Sequence, residues 1–597
     1  MWLLTRLGRA SAVLAVLAAA CSSSTVSTTT TTAQAPTSTT TQPSPTTTTT
    51  LTTTTTTEAP PDPYGGVAVI GLSAEPATLN PFYAGDDRDT VGIISQAWTV
   101  GAQDISGATG ELIPEVVAQL PRVDNGGVVV NDDGSMTVTY EIRDEARWAD
   151  GVPITGRDFQ FTLDTILDPT LSISRGVYAD IISSTVADNT FSFTLAFPTI
   201  EYEHLFDVLI PEHVVAGSDF ATDWNDRTWV SGGPFVLEDW VPGEALVFRR
   251  NDAYWKADVD TRAALPYLDG VEFRFIDNPT GRLLAFAGHR LDVMEADIET
   301  AASELALTLE GEGAAVAATN GPVWVHLNFQ FGPGRWDRNP DTLNEYLSFR
   351  QAIMHAVDRQ RIVSELFGGR VAPLGSYVTA YNPAISGDAW AQYAYDPERA
   401  RQLLEEAIEA RAATVDGAAE DVILFFTANA GNPQRAAVAH LLGEMFTDAG
   451  IAYVETLEDP MVFFGETVSG GRWDVGMWAW QAAPGYASLT AFHDVLDPAD
   501  SNTLTNFYRW GTDDSSVHND WTQRYEEILA AMKGTVDHDE LTNLIRDAER
   551  LIADQALFLP LYAEPFVTVY WPQQIAGFTM NTGMTFTWNL ERWQSET

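Results

Sequence analysis

From about residue 64 onward, apolar positions recur at two periods that interleave along the chain. Residues 66–72 alternate apolar and polar or small, which predicts a strand. Val128-Val129-Val130 and the alternating stretch 136–142 flank Asn131-Asp132-Asp133-Gly134, a β-hairpin pattern with its turn at the Asp-Gly step. Residues 191–197, 246–249, 451–456, 557–561 and 565–570 read as further strands. Helical spacing marks 159–167, opened by Thr155 or Asp158, and 346–367, stopped at Gly368-Gly369. It also marks 397–412, with Pro397 in the first turn after Asp396 as cap, and 436–449, stopped by Gly450. Two more helices are expected at 525–532 and 541–554. Helices and strands that alternate over this length predict an α/β fold, and no internal repeat is visible. A body of about 530 residues exceeds what one core holds, so two or three lobes are expected.

The pattern fails before residue 64. Arg6 and Arg9 precede an apolar stretch at 10–20 that is too short to span a bilayer, which takes about 20 residues. Cys21 follows Leu17-Ala18-Ala19-Ala20 directly, which resembles a bacterial lipobox with Ala18 where a larger aliphatic residue is usual. Cys21 is also the single cysteine, so it is the expected lipidation site, and internal disulfides or cysteine-based metal sites are excluded. Residues 22–63 are threonine runs broken by Pro36, Pro43, Pro45 and Pro60; they cannot bury a core. As a flexible tether of about 42 residues they would reach roughly 35 Å.

Charge narrows the partners. The formal net charge is −49, with only Lys256 and Lys533 as lysines, and such a surface repels nucleic acid. The nine histidines form no local cluster with metal spacing, so no metal and no cofactor is expected. Neither a Gly-x-Ser-x-Gly elbow nor a His-Glu-x-x-His helix is present, which weakens a secreted hydrolase.

Several motifs, in order, carry a resemblance. Glu75-Pro-Ala-Thr-Leu-Asn-Pro81 opens the series. Tyr140-Glu-Ile-Arg-Asp-Glu-Ala-Arg-Trp-Ala-Asp-Gly-Val-Pro-Ile-Thr-Gly-Arg-Asp158 follows, then Gly232-Gly-Pro-Phe-Val-Leu-Glu-Asp-Trp and Arg250-Asn-Asp-Ala-Tyr-Trp255. Phe349-Arg-Gln-Ala-Ile-Met-His-Ala-Val-Asp-Arg359, Tyr395-Asp-Pro-Glu-Arg-Ala-Arg-Gln-Leu-Leu404 and Phe558-Leu-Pro-Leu561 complete it. Together they resemble extracellular solute-binding proteins of family 5, the oligopeptide, dipeptide and nickel-binding group of ABC importers. Within them, Trp148-Ala-Asp-Gly151 reads as a turn with a buried aromatic plug, and Asp358-Arg359 as a structural ion pair.

The resemblance implies a periplasmic-binding-protein-like type II bilobal fold with an additional inserted domain. Its first lobe would be discontinuous, 64–105, 229–322 and 563–597; the inserted domain would be 106–228 and the second lobe 323–562. It further implies a monomeric binding protein, not an enzyme, that captures a small solute between lobes and delivers it to permease subunits, held outside the membrane by the lipid on Cys21. An oligopeptide is the first expectation, an oligosaccharide or other solute the second. A receptor that reuses the fold without import is a further alternative.

Peptide binders of the family hold the peptide amine with an aspartate in a Trp-x-Ala-Asp-type stretch. Here the stretch is Asp474-Val-Gly-Met-Trp-Ala-Trp-Gln-Ala-Ala-Pro484, with Trp480 or Gln481 at that place and Asp474 too early. Trp478 and Trp480, two apart, fall on one face of a strand and form either a cleft wall or a core pair. Gln481, Tyr486, Asn506 and Tyr508 are candidate contacts from the second lobe, and Phe82 and Tyr83 from the first; for each, a core role is the alternative.

Overall fold

The computed structural model describes residues 63–595, except 188, 379–381, 383, 384, 386, 416–421, 499–505, 512–519 and 581–584. The apolar leader, Cys21 and the threonine-rich segment lie outside the described residues.

Ten strands form one mixed sheet. Val67–Leu72 pairs in parallel with Gly270–Phe275 and with Val293–Ala296, and the antiparallel pair Phe235–Val241 and Ala245–Arg250 extends that side. At the other end Ile423–Asn429 lies parallel between Ala452–Glu458 and Val475–Gln481. Two long antiparallel strands, Ala315–Phe329 and Phe558–Tyr570, run through both ends and are the common element between them. Their pairing breaks register between Asn320 and Trp324. Gly321 sits at this break, where a Cβ would fall 2.4 Å from the Glu564 carbonyl oxygen, so only glycine lets the strands come this close.

A separate four-stranded antiparallel sheet joins Val128–Val130, Met136–Glu141, Thr190–Leu195 and Ile181–Ala187. The expected hairpin forms, with Gly134 in the left-handed region at φ 86°. Helix Gly156–Leu167 packs on this sheet, its Phe159 ring 5.5 Å from Phe191. Of the two candidates for its start, Thr155 opens the helix and Asp158 lies within the first turn. Thr155 is the cap and accepts from Arg157 N, while the Asp158 carboxylate accepts from Thr155 N at 2.9 Å, a capping box. Upstream, Trp148 is fully buried and Gly151 takes φ 86°, the turn that the motif predicts.

Two expectations change. The helix expected at 346–367 is two helices, Leu347–Ala356 and Arg359–Phe367, because Asp358 caps the second by accepting from Arg361 N at 2.9 Å. Asp358 and Arg359 are therefore not an ion pair; Arg359 donates to the carbonyl oxygens of Leu374 and, at 3.1 Å, Trp390. The two short strands expected at 557–561 and 565–570 are one strand, since Glu564 sits on the crossing rather than in a turn.

Candidate functional site

Strand Val475–Gln481 lies against the second half of Ala315–Phe329, with Trp480 opposite Trp324 and Trp478 opposite His326. Gly476 makes room for this aromatic face: a Cβ there would fall 2.9 Å from Trp478 and 3.1 Å from Trp473. Trp478 and Trp480 point to the same face, as their spacing requires, but their surroundings differ. Trp478 is buried, its ring 5.0 Å from Trp473 and 5.7 Å from Tyr508. Trp480 is half-buried and stacks on Phe507 at 6.1 Å, with its indole N–H donating to the Tyr508 hydroxyl at 3.2 Å. The same hydroxyl lies 2.9 Å from His326 Nε2. Burial holds His326 well below the usual imidazole range and so keeps it neutral, able to accept from Tyr508.

Tyr508 and Asn506 are both buried. The Asn506 side-chain amide donates to the carbonyl oxygen of Trp510 at 3.0 Å. Trp478, Asn506 and Tyr508 thus occupy the core behind Trp480 and present almost no accessible surface of their own. Gln481 is exposed at the end of the strand, and Ala482 N donates to the Pro322 carbonyl oxygen at 2.8 Å, which fixes this exit beside the crossing. Tyr486 opens helix Tyr486–Val495; its hydroxyl bonds Thr542 at 2.8 Å and its ring lies 4.4 Å from His538.

Phe82 and Tyr83 belong to a short turn, Pro81–Tyr83, capped by Asn80. Both rings pack on Phe220, at 5.7 and 6.3 Å. The candidates therefore form three groups: the aromatic wall with Gln481 at its edge, the Tyr486–His538 pair, and the Phe82–Tyr83–Phe220 cluster.

Asp474 is absorbed by structure. Its carboxylate accepts from Asn339 at 2.7 Å, Thr342 at 2.6 Å and Asn344 at 3.1 Å, and it is buried. Burial pushes its pKa up to about 6 against the pull of those hydrogen bonds. His326, His538 and Phe492, whose ring lies 6.3 Å from Trp480, escaped the sequence reading. A histidine within the apolar run Trp324–Phe329 was the available signal for the first. Among the described residues, no cluster of histidine, cysteine or acidic side chains is arranged to hold a metal ion, and no helix is long and apolar enough to cross a membrane.

Solved structures share this fold. The ABC transporter substrate-binding protein CtaP of Listeria monocytogenes superposes with a TM-score of 0.66 at 19% identity, covering 89% of this chain and 100% of that one. The oligopeptide-binding protein of Thermus thermophilus, complexed with a pentapeptide, gives 0.55 at 18% identity, covering 89% and 96%. The fold is thus that of the bilobal periplasmic binding proteins. In sequence, the oligopeptide-binding protein OppA of Bacillus subtilis is 23% identical over 532 residues, 84% of this chain and 88% of its own length. The model of the bacterial extracellular solute-binding proteins, family 5, matches residues 121–496, and the chain belongs to that family. It is an extracytoplasmic solute-binding protein and not an enzyme.

Proposed function

We propose that this chain is the substrate-binding component of an ABC importer, anchored by a lipid on Cys21, that captures an oligopeptide between two lobes and passes it to permease subunits. The observation that carries the reading is the family match over a fold whose two halves are joined by the crossing strands Ala315–Phe329 and Phe558–Tyr570. The register break at 320–324 supports lobe boundaries at 322/323 and 562/563, with 64–105, 229–322 and 563–597 as the first lobe, 323–562 as the second and 106–228 as an inserted domain. Such a division leaves a concave site between lobes that move about the crossing. Trp480, Gln481 and Tyr486 from one side and Phe82 and Tyr83 from the other are its contact residues. The relative OppA and the pentapeptide complex favour a peptide.

Native mass spectrometry of the purified protein tests this. A heterogeneous series of co-purified peptide masses is the expected result; a single carbohydrate mass would sink it. One observation favours a second reading, a non-peptide solute such as an oligosaccharide. The wall around Trp480 offers aromatic faces and an exposed amide at Gln481, and the one acid in the 474–484 stretch, Asp474, is buried in its own hydrogen bonds.

A further inference from the structure

Away from the crossing strands, residues on opposite sides of the proposed lobe division meet. Arg370 bonds Glu310 through both guanidinium nitrogens, at 3.1 and 2.9 Å, and Gln434 bonds Glu299 at 2.5 Å. Those contacts join the second lobe to the first. A third contact joins the second lobe to the 106–228 domain. His538 Nε2 lies 2.6 Å from Glu203 Oε1, and Arg122 bonds the other ring nitrogen, Nδ1. The Glu203 side chain is 5% exposed and the His538 side chain 23%. Tyr486, tied to Thr542, covers the imidazole at 4.4 Å. Beside it Gly485, at φ 85°, lets the backbone come so close that a Cβ would fall 2.9 Å from His204 Nε2.

We propose that His538, wedged between Arg122 and Glu203 and covered by Tyr486, is a clasp that ties the inserted domain to the second lobe and so governs the angle between the lobes. This inference rests on the two-lobe reading above. The chemistry makes the clasp separable. A nearly buried carboxylate without a partner would cost several kcal/mol. Arg122, the cation on the same domain, would be the partner of Glu203 once His538 withdraws. Neither arrangement would then strand the charge, and the lobe angle could shift between two satisfied states. Both ring nitrogens are used, one donating to Glu203 and one accepting from Arg122, so a side chain with one donor and one acceptor is required at 538. A glutamine meets that requirement and an alanine does not.

Amide hydrogen exchange on the full ligand-free chain tests the clasp. In His538→Ala, exchange is expected to rise about tenfold, the scale of one charge-assisted hydrogen bond, at Ile200–His204 across the contact. It should also rise at Glu304–Gly311, which carries Glu310 and which His538 does not touch. His538→Gln should exchange close to the parent. Acceleration confined to His538–Asp554, no acceleration at all, or a glutamine variant that matches the alanine variant would each overturn the clasp. If His538→Ala does not fold, Glu203→Ala makes the same test from the other side; unchanged exchange at Tyr486–Val495 would then overturn it. The protein carries no ligand throughout. Failure of the clasp therefore leaves peptide capture standing, and failure to find bound peptides leaves the clasp standing.

Discussion

The strand Ala315–Phe329 passes through two surroundings, and its sequence changes with them. Its first six residues, Ala-Val-Ala-Ala-Thr-Asn, pair on one side only, with Pro565–Tyr570, and all six are half-exposed. From Trp324 the strand pairs on both sides, with Val475–Trp480 and with Phe558–Ala563, and Trp324 to Phe329 are all buried. The first half is a sheet edge built from small and β-branched residues; the second is a central strand built from Trp324, Val325, His326, Leu327 and Phe329. One continuous backbone thus serves a loosely held side and a tightly held side, which suits an element about which two lobes turn.

The widest test of the contrast is Trp324→Ala. Trp324 is 2% exposed and lies 4.6 Å from His326, 5.3 Å from Phe492 and 5.9 Å from Phe558, ring to ring. Its removal should cost about 3–5 kcal/mol in urea unfolding. A loss below about 1 kcal/mol would mean that the second half is no better packed than the first.

A somewhat smaller effect is expected from charge buried on the same side. Glu549 is 1% exposed, bonded to Ser376 and packed over Gly387. Burial raises its pKa from 4.5 to about 7. The folded protein therefore holds this proton more tightly than the unfolded chain does. Its stabilising contribution is complete below the unfolded value near 4.5 and is lost as pH rises through about 7. A shift of this size corresponds to about 3 kcal/mol. Glu549→Gln should unfold at higher denaturant concentration than the parent at pH 8 and at nearly the same concentration at pH 4. Equal gains at both pH values would show that the carboxylate is neutral throughout or that it is solvated. Asp474 sets the limit for this reasoning: with donors from Asn339, Thr342 and Asn344 around it, its pKa rises only to about 6.

How much of this was legible depends on the range of the interaction. The hairpin at Asn131–Gly134, the helix stop at Gly368 and the caps at Thr155 and Asp396 are set within a few residues, and the sequence pattern carries them. The break at Val357-Asp358 was equally local, yet the apolar period runs straight through it, so one helix was expected where the Asp358 cap makes two. The fusion of the last two strands needs Ala315–Phe329, more than 200 residues earlier in sequence, and no local signal reports it. The candidate site divides in the same way. Strand spacing puts Trp478 and Trp480 on one face, but which of them is covered depends on Trp473, Phe507 and Tyr508 from other segments. His538 was invisible because its partners, Arg122 and Glu203, lie more than 330 positions away.

The smallest effect gives the sharpest form of the comparison, because it holds the chemistry constant. Val316 and Val325 are the same residue on the same strand, one on each side of the break. Val325 is fully buried, between Ala479 and Tyr562 in the sheet; Val316 is half-exposed and faces Val569 across a single pairing. Val325→Ala removes two buried methyl-sized groups and should cost about 2 kcal/mol. Val316→Ala removes the same atoms from a site that water already reaches, and should cost below about 1 kcal/mol. Both are read from urea midpoints at one pH, with slopes that must match the parent for the difference to refer to stability alone. Equal losses would mean that the edge half is held as firmly as the central half. The crossing would then be a rigid splint, and motion between lobes would have to come from the contacts beside it. A larger loss at Val325 leaves the first half as the compliant side, where a change of lobe angle costs the fewest packed atoms.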